Sequence, residues 1–216
     1  MIRLNKSPLP EGVQIKSEQD YRNDPVFSIL KNDCHNKCYI CEDKEPTGLQ
    51  VEHRVAPKGS DTLKYDWNNL LLACYHCNHI KSDIYNNILD CTKVDPENYI
   101  AISMLLFPIE KVSIVILQNS DESQETAALL ELIYNGKKTV ILDAECENLR
   151  NRVLKELINF QQKLIEYNDE PDSWVKSGFR ISILKMIDRS SAFAAFKRGL
   201  IKRNPAYMQE FGEYLE

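Results

Sequence analysis

The chain has 216 residues, 43% of them apolar and 27% charged, with a formal net charge of −5. That balance excludes a disordered or fibrous chain and suits one or two packed domains. It also has the wrong sign for a protein that grips nucleic acid by net charge alone, because phosphate neutralisation supplies most non-specific affinity. The first twenty residues, MIRLNKSPLPEGVQIKSEQD, hold no apolar leader, and the longest apolar run, residues 99–109, is too short for a membrane span and contains Pro108. A cytoplasmic protein is the expectation. Seven cysteines in a reducing compartment point to metal rather than disulfides, and the odd count agrees.

Residues 1–30 read as an N-terminal arm, punctuated by Pro8, Pro10 and Gly12, that leads into the start of a first helix. Asp24 is its expected cap, with Pro25 at the first helical position, where a missing N–H costs nothing. Residues 31–95 read as a compact core. Cys38-Tyr39-Ile40-Cys41 makes a tight turn, residues 49–55 alternate like a strand, and Pro57 and Gly59 end it. From Trp67 a short strand or turn gives way to a helix starting near His76, with residues 83–90 as its extension.

Residues 96–216 read as mainly helical, a region suited to partner docking. Residues 112–117 are a β-branched strand, and residues 124–134 a helix with Ala127, Leu130, Ile133 and Tyr134 on one face and Gly136 as its stop. Residues 144–167 form a long helix, since Leu149, Val153, Leu157, Phe160 and Leu164 recur at intervals of three and four. Further helices follow Pro171 through Met186, start near Ser190 or Ser191, and start with Asn204 as cap and Pro205 in first position. Between residues 176 and 203, Lys176, Arg180, Lys185, Arg189, Lys197, Arg198, Lys202 and Arg203 stand against a single acid, Asp188. This is either a solvated basic face of two helices or a surface for a phosphate backbone or an acidic partner.

Cys38, Cys41, Cys74 and Cys77 form two Cys-x-x-Cys pairs with 32 residues between them. Four thiolates at that spacing chelate one Zn²⁺ tetrahedrally and leave no position for substrate, so the zinc is structural. His35 and His76 are possible substitute ligands, whereas Cys34, Cys91 and Cys146 read as core residues. His53 is the candidate general base, because an imidazole is the side chain best matched to deprotonating water near neutral pH. Glu52 and Asn78 offer oxygen ligands of the kind Mg²⁺ (or Mn²⁺) prefers. Strand alternation sends Glu52 and His53 to opposite faces, so one must reach such a metal around an irregular strand or its end. Otherwise Glu52 is a solvated carboxylate. Asn69, or Asn68 beside it, is the expected pin whose amide bridges loop backbone and holds the His53 segment. Lys81, one turn after Asn78, is either a phosphate contact or a solvated lysine.

Together, the Cys-x-x-Cys before the first strand, Glu52-His53 followed by Pro57, Asn69-Leu70, and Cys74-x-x-Cys77-Asn78-x-x-Lys81 resemble the HNH, or ββα-metal, nuclease family. The resemblance implies an α+β protein with a small zinc-stapled ββα core. It also implies that His53 activates water, Asn69 orients the loop, and Glu52 and Asn78 hold the catalytic cation. Two departures stand out: Asp is commoner than Glu before the histidine, and the last position is Asn, with His76 and His79 as less well aligned substitutes. Thr126 to Gly136 and the segment Ser191-Ala-Phe-Ala-Ala-Phe-Lys-Arg198 are similar to the HNH subunits of Septu-type and retron-associated anti-phage systems. That similarity implies an ABC-type ATPase partner and a nucleic-acid substrate, DNA being favoured. An RNA-cleaving effector and a non-catalytic zinc-stapled binding module are the alternatives.

Overall fold

The computed structural model describes residues 1–46, 48–106, 109–136 and 139–215. Two short helices, α1 (Glu18–Arg22) and α2 (Val26–Asp33), precede a hairpin of β1 (Leu49–His53) and β2 (Leu70–Cys74), whose connection holds α3 (Asp61–Lys64) and a 3-10 turn over Trp67–Asn69. The strands pair antiparallel, Leu49 opposite Cys74 and His53 opposite Leu70. All five residues of β2 are buried, which explains why LLLAC reads as a continuous apolar run instead of an alternation. The chain passes directly from β2 into α4 (Tyr75–Lys81), which folds back against both strands and completes a ββα unit. Ser82 then takes a left-handed φ of 49°, so residues 83–90 do not extend that helix.

A second hairpin, β3 (Ile100–Leu105) and β4 (Lys111–Ile116), follows the 3-10 turn at Pro96–Asn98. It packs between α5 (Asp121–Asn135) and α8 (Ala194–Lys202), and the Asn135 side chain clamps both backbone groups of Val112, at 3.0 and 2.8 Å. Gly136 caps the end of α5 in an extended conformation, and a larger residue would be crowded there, because a Cβ would meet the Leu132 carbonyl oxygen at 2.4 Å. The long helix runs further than its apolar stripe, as α6 (Val140–Asp169), and is followed by α7 (Ser173–Ile187), α8 and α9 (Pro205–Phe211). Asn204 caps α9 by accepting from the Ala206 and Tyr207 amides. The architecture is α+β, with a zinc-type cysteine cluster in the ββα unit and a helical C-terminal region. No helix among the described residues is long and apolar enough to cross a membrane.

The N-terminal arm packs onto the rest of the chain. Met1, Ile2 and Leu4 are buried in a core shared with Leu30, Ile40, β2, Leu130, Tyr134, Val153 and Phe196, and Leu4 donates its amide to the Cys91 carbonyl at 2.8 Å. One apolar cluster therefore crosses from the arm through the ββα unit to α8. The Lys6 ammonium donates to the Trp67 and Leu70 carbonyls and lies 4.0 Å over the Trp67 ring. Burial pushes the Lys6 pKa down to about 8. The helix α1 was not expected, because five residues are too few to show a period; Ser17 and Asp20 form its capping box. Nor does Asp24 cap α2, since Pro25 takes the N-cap position and Asp24 accepts a hydrogen bond from Ser28. Phe160, Leu164, Ile183, Ile187, Ile201 and Phe211 form a second core among α6, α7, α8 and α9.

Most cations of the basic run from 176 to 203 face acids of the same chain, and Lys197 and Arg198 are buried. Arg198 is buried, with its Nε 2.7 Å from Glu97 and its other nitrogens donating to the Ile187 and Leu215 carbonyls. Lys202 reaches the same Glu97 at 3.4 Å, Arg189 pairs with Asp95 at 2.9 Å, Lys197 with Glu156 at 3.3 Å and Arg180 with Glu210 at 2.9 Å. These cations join the C-terminal helices to one another and to the segment before β3; Lys185 and Arg203 stay exposed. Arg198→Ala leaves Glu97 without its closest cation and is expected to destabilise the fold by about 3–5 kcal/mol. Lys185→Ala should stay within about 0.5 kcal/mol. Denaturant titration of the two variants reads the difference, and equal effects would return the basic run to the surface.

Candidate active site

Two loops of chain bring four sulfurs together. Cys38 and Cys41 lie on the turn between α2 and β1, where the Glu42 amide donates to the Cys38 carbonyl at 2.9 Å and Glu42 takes a φ of 63°. Cys74 ends β2 and Cys77 lies in the first turn of α4. All four Sγ atoms are buried and lie within 4.8 Å of one another. The Cys41–Cys74 separation of 3.9 Å is close to the edge of a tetrahedron built on a Zn–S bond of ~2.3 Å, which is about 3.8 Å. Burial raises the Cys41 and Cys77 thiols, whereas hydrogen bonds from Cys38, Cys41 and Cys77 lower Cys74. Thiolates packed this tightly ionise together only around a cation, so the donor set fits Zn²⁺. Neither histidine weighed as a substitute joins it: the His76 ring nitrogens lie 3.0 Å from Glu145 and 2.9 Å from the Ile133 carbonyl, and His35 lies outside the cluster. His79 stacks on Tyr75.

His53 ends β1, half-buried, with its Nε2 2.9 Å from the Lys64 carbonyl oxygen. A carbonyl can only accept, so Nε2 carries the proton and Nδ1 the lone pair. Among the described residues Nδ1 has no hydrogen-bond partner. The ring stands edge-on to buried Tyr21 of α1, with centroids 5.8 Å apart. Burial lowers the His53 pKa below its ordinary value, with the hydrogen bond to the Lys64 carbonyl opposing and the charges of Lys81 and Lys64 adding to the shift, which favours the neutral imidazole at pH 7.

Asn69 pins the loop that carries the Lys64 carbonyl, through the neighbouring Leu63. The buried Asn69 amide donates to the Val55 and Leu63 carbonyls at 2.8 and 2.9 Å and accepts from the Val55 amide at 2.8 Å. Its own carbonyl accepts from the Arg54 amide at 2.9 Å. Residues on both sides of the loop between His53 and Asn69 are thus tied to one side chain, whereas Asn68 is exposed. Asn86 adds a second pin by accepting from the Ala56 amide at 2.6 Å.

Glu52 and Lys81 lie elsewhere than their motif roles require. The Glu52 carboxylate, 5% exposed, takes the Lys81 ammonium at 2.6 Å on one oxygen and the Tyr39 hydroxyl at 2.9 Å on the other. Lys81 is wholly buried and also donates to the His53 carbonyl at 2.9 Å, so it is not a solvated lysine and its ammonium is turned to protein oxygens. Asn78 is half-buried and donates to Gln50 Oε1 at 2.9 Å. The cause is regular geometry: Gln50 and Glu52 share one face of β1, and Asn78 and Lys81, one turn apart on α4, meet them there. The donors expected to hold Mg²⁺ are therefore turned toward protein partners in this arrangement. Each Glu52 oxygen accepts one hydrogen bond, and among the described residues the sulfur cluster is the one group of three or more His, Cys, Asp or Glu donors placed to hold a metal.

The two Cys-x-x-Cys turns, the strand-borne His53 and the loop-pinning Asn69 share one ββα frame. Residues 38–83 match the HNH endonuclease family model. A search of the curated proteins and a search of the solved structures each return no match. The HNH segment contains the whole of the sulfur cluster, His53 and the Asn69 pin, while Tyr21, which packs on His53, lies outside it. Sequence reading missed Tyr39, Tyr21 and Asn86; Tyr39, between two cysteines of the zinc turn, was the one with a positional signal.

Within the HNH segment Glu52 and Lys81 are a buried pair, and burial raises the Glu52 pKa while Lys81 and Tyr39 hold it down. Lys81→Met leaves Glu52 buried opposite no cation and is expected to cost about 3–5 kcal/mol. A Glu52→Gln/Lys81→Met double variant should recover part of that loss. Thermal unfolding of the zinc-loaded proteins checks this; a Lys81→Met protein as stable as its parent would show that the ammonium sits in solvent.

Proposed function

We propose that the protein is an HNH endonuclease that hydrolyses phosphodiester bonds of nucleic acid, DNA by preference, with His53 as general base. The observation that carries this reading is the His53 contact: Nε2 lies 2.9 Å from the Lys64 carbonyl oxygen, which assigns the proton to Nε2 and leaves Nδ1 as the acceptor. Nδ1 takes a proton from water as the oxygen attacks phosphorus; the P–O3′ bond breaks, and the departing oxygen gains a proton from solvent. A positioned general base contributes roughly 10²–10⁴ in rate. Zn²⁺ in the cysteine cluster fixes the ββα frame without touching substrate. A divalent cation such as Mg²⁺ or Mn²⁺ would neutralise charge on the phosphate; of the two expected ligands, Asn78 keeps its Oδ1 uncommitted. The ABC-type ATPase partner and the anti-phage role rest on the resemblance of residues 126–136 and 191–198 to Septu-type subunits. The fold uses many of those same residues, including Thr126, Leu130, Tyr134, Phe196 and Arg198, for core packing.

One observation favours a second reading, a zinc-stapled binding module without catalysis: the acid before the histidine is committed to Lys81 and Tyr39. Incubating the zinc-loaded protein and its His53→Ala variant with plasmid DNA and with RNA, in Mg²⁺ or Mn²⁺, separates the two. The nuclease reading expects cleavage by the parent and a loss of roughly 10²-fold or more in the variant at unchanged zinc content. Equal cleavage by both removes His53 as the base. No cleavage by the parent, with nucleic acid still bound, establishes the binding module.

A further inference from the structure

The helix α1 lies against the candidate base, yet the proposed hydrolysis assigns it no part. Its Tyr21 packs on the His53 ring, with centroids 5.8 Å apart. One Glu18 oxygen lies 2.7 Å from Arg22 Nη2 and the other 3.0 Å from Lys64 Nζ. A single carboxylate thus bridges two cations from separate parts of the chain, one oxygen to each, as two oxygens of a phosphodiester would. Lys64 is also the residue whose carbonyl orients His53. From Arg22 an open cleft runs along β1, lined by Phe27, Leu49, Gln50, Val51 and Asn78.

We infer that Arg22 and Lys64 form a binding pair for backbone phosphate beside His53, and that Glu18 fills the phosphate position in the free protein. The inference rests on the nuclease reading for the substrate class. Accessibility supports it: the side chains of Arg22, Glu18 and Lys64 are 65%, 42% and 32% exposed, so an incoming phosphate can reach both cations. Displacing Glu18 costs little, because exposed ion pairs contribute only about 0–1 kcal/mol. Charge placement supports it as well. Of the basic residues in the C-terminal run, Arg180, Arg189, Lys197, Arg198 and Lys202 already face acids of the same chain. In an acidic protein, two cations grouped beside the base give substrate a local grip that net charge does not.

The test uses the full zinc-loaded chain carrying His53→Ala, so that the probe survives, and a fluorescent 20-nucleotide DNA as duplex and as single strand. Arg22→Ala and Lys64→Ala are each expected to weaken binding roughly fivefold or more and to lower the slope of log K against log salt by about 0.7–0.9. Glu18→Ala is expected to tighten binding several-fold. All three positions are exposed enough for the melting temperature to stay within a few degrees of the parent. Unchanged affinity and salt slope in Arg22→Ala and Lys64→Ala, or weaker binding in Glu18→Ala, would overturn the inference. Cleavage by the chains that keep His53 distinguishes the two failures. If the parent cuts while the Arg22 and Lys64 variants bind and cut as it does, this inference fails alone. If none cuts while the binding shifts appear as expected, the nuclease reading fails and the phosphate pair stands.

Discussion

Everything in the ββα unit depends on four sulfurs meeting in the protein interior. Cys38 and Cys41 come from one turn, Cys74 from the end of β2 and Cys77 from the start of α4, and each is buried where a free thiolate would be costly. A cation shared among them would close the 32 intervening residues into a loop and set the entry of α4 relative to both strands. With that frame closed, the rest is local hydrogen bonding. Asn69 ties the loop after His53 to itself, the loop presents the Lys64 carbonyl, and that carbonyl decides which His53 nitrogen can accept a proton.

A second layer consists of buried ion pairs. Glu52 with Lys81 joins β1 to the last turn of α4, and Glu97 with Arg198 joins the segment before β3 to α8. Lys37 lies 3.6 Å from Glu42 and also donates to the Arg189 and Ser191 carbonyls, linking the zinc turn to the approach to α8. Such pairs contribute modestly to net stability because desolvation offsets much of the attraction, yet losing one partner leaves an uncompensated charge. They specify which helix sits where. They also turn a share of the basic groups inward, toward acids of the same chain.

The zinc turns were legible in the sequence because their spacing is itself the geometry: two residues between thiols fix a chelating turn in any fold. Asn69 was legible for a similar reason, since it precedes a wholly apolar strand and its amide has only backbone to bond. Glu52 and Lys81 were not. Their motif positions point to metal and phosphate, but the side of β1 they occupy is decided by strand period and by the angle at which α4 returns, and neither is written in the motif. The basic run misled for a different reason. Composition counts charges without their partners, and Glu97, Asp95 and Glu156 are remote in sequence from the cations they hold. The strand β3 was hidden within an apolar run, and α1 was too short to show a period.

The claim at the centre of this account is that the sulfur-pinned hairpin delivers His53 as a neutral imidazole with Nδ1 free to take a proton. Long-range ¹H–¹⁵N correlation of the four histidine side chains in the zinc-loaded protein at pH 7 measures it directly, with His53→Ala giving the assignment. A protonated Nε2 and an unprotonated Nδ1 on His53 is the predicted result. A proton on Nδ1, in either the other tautomer or the imidazolium, would contradict it.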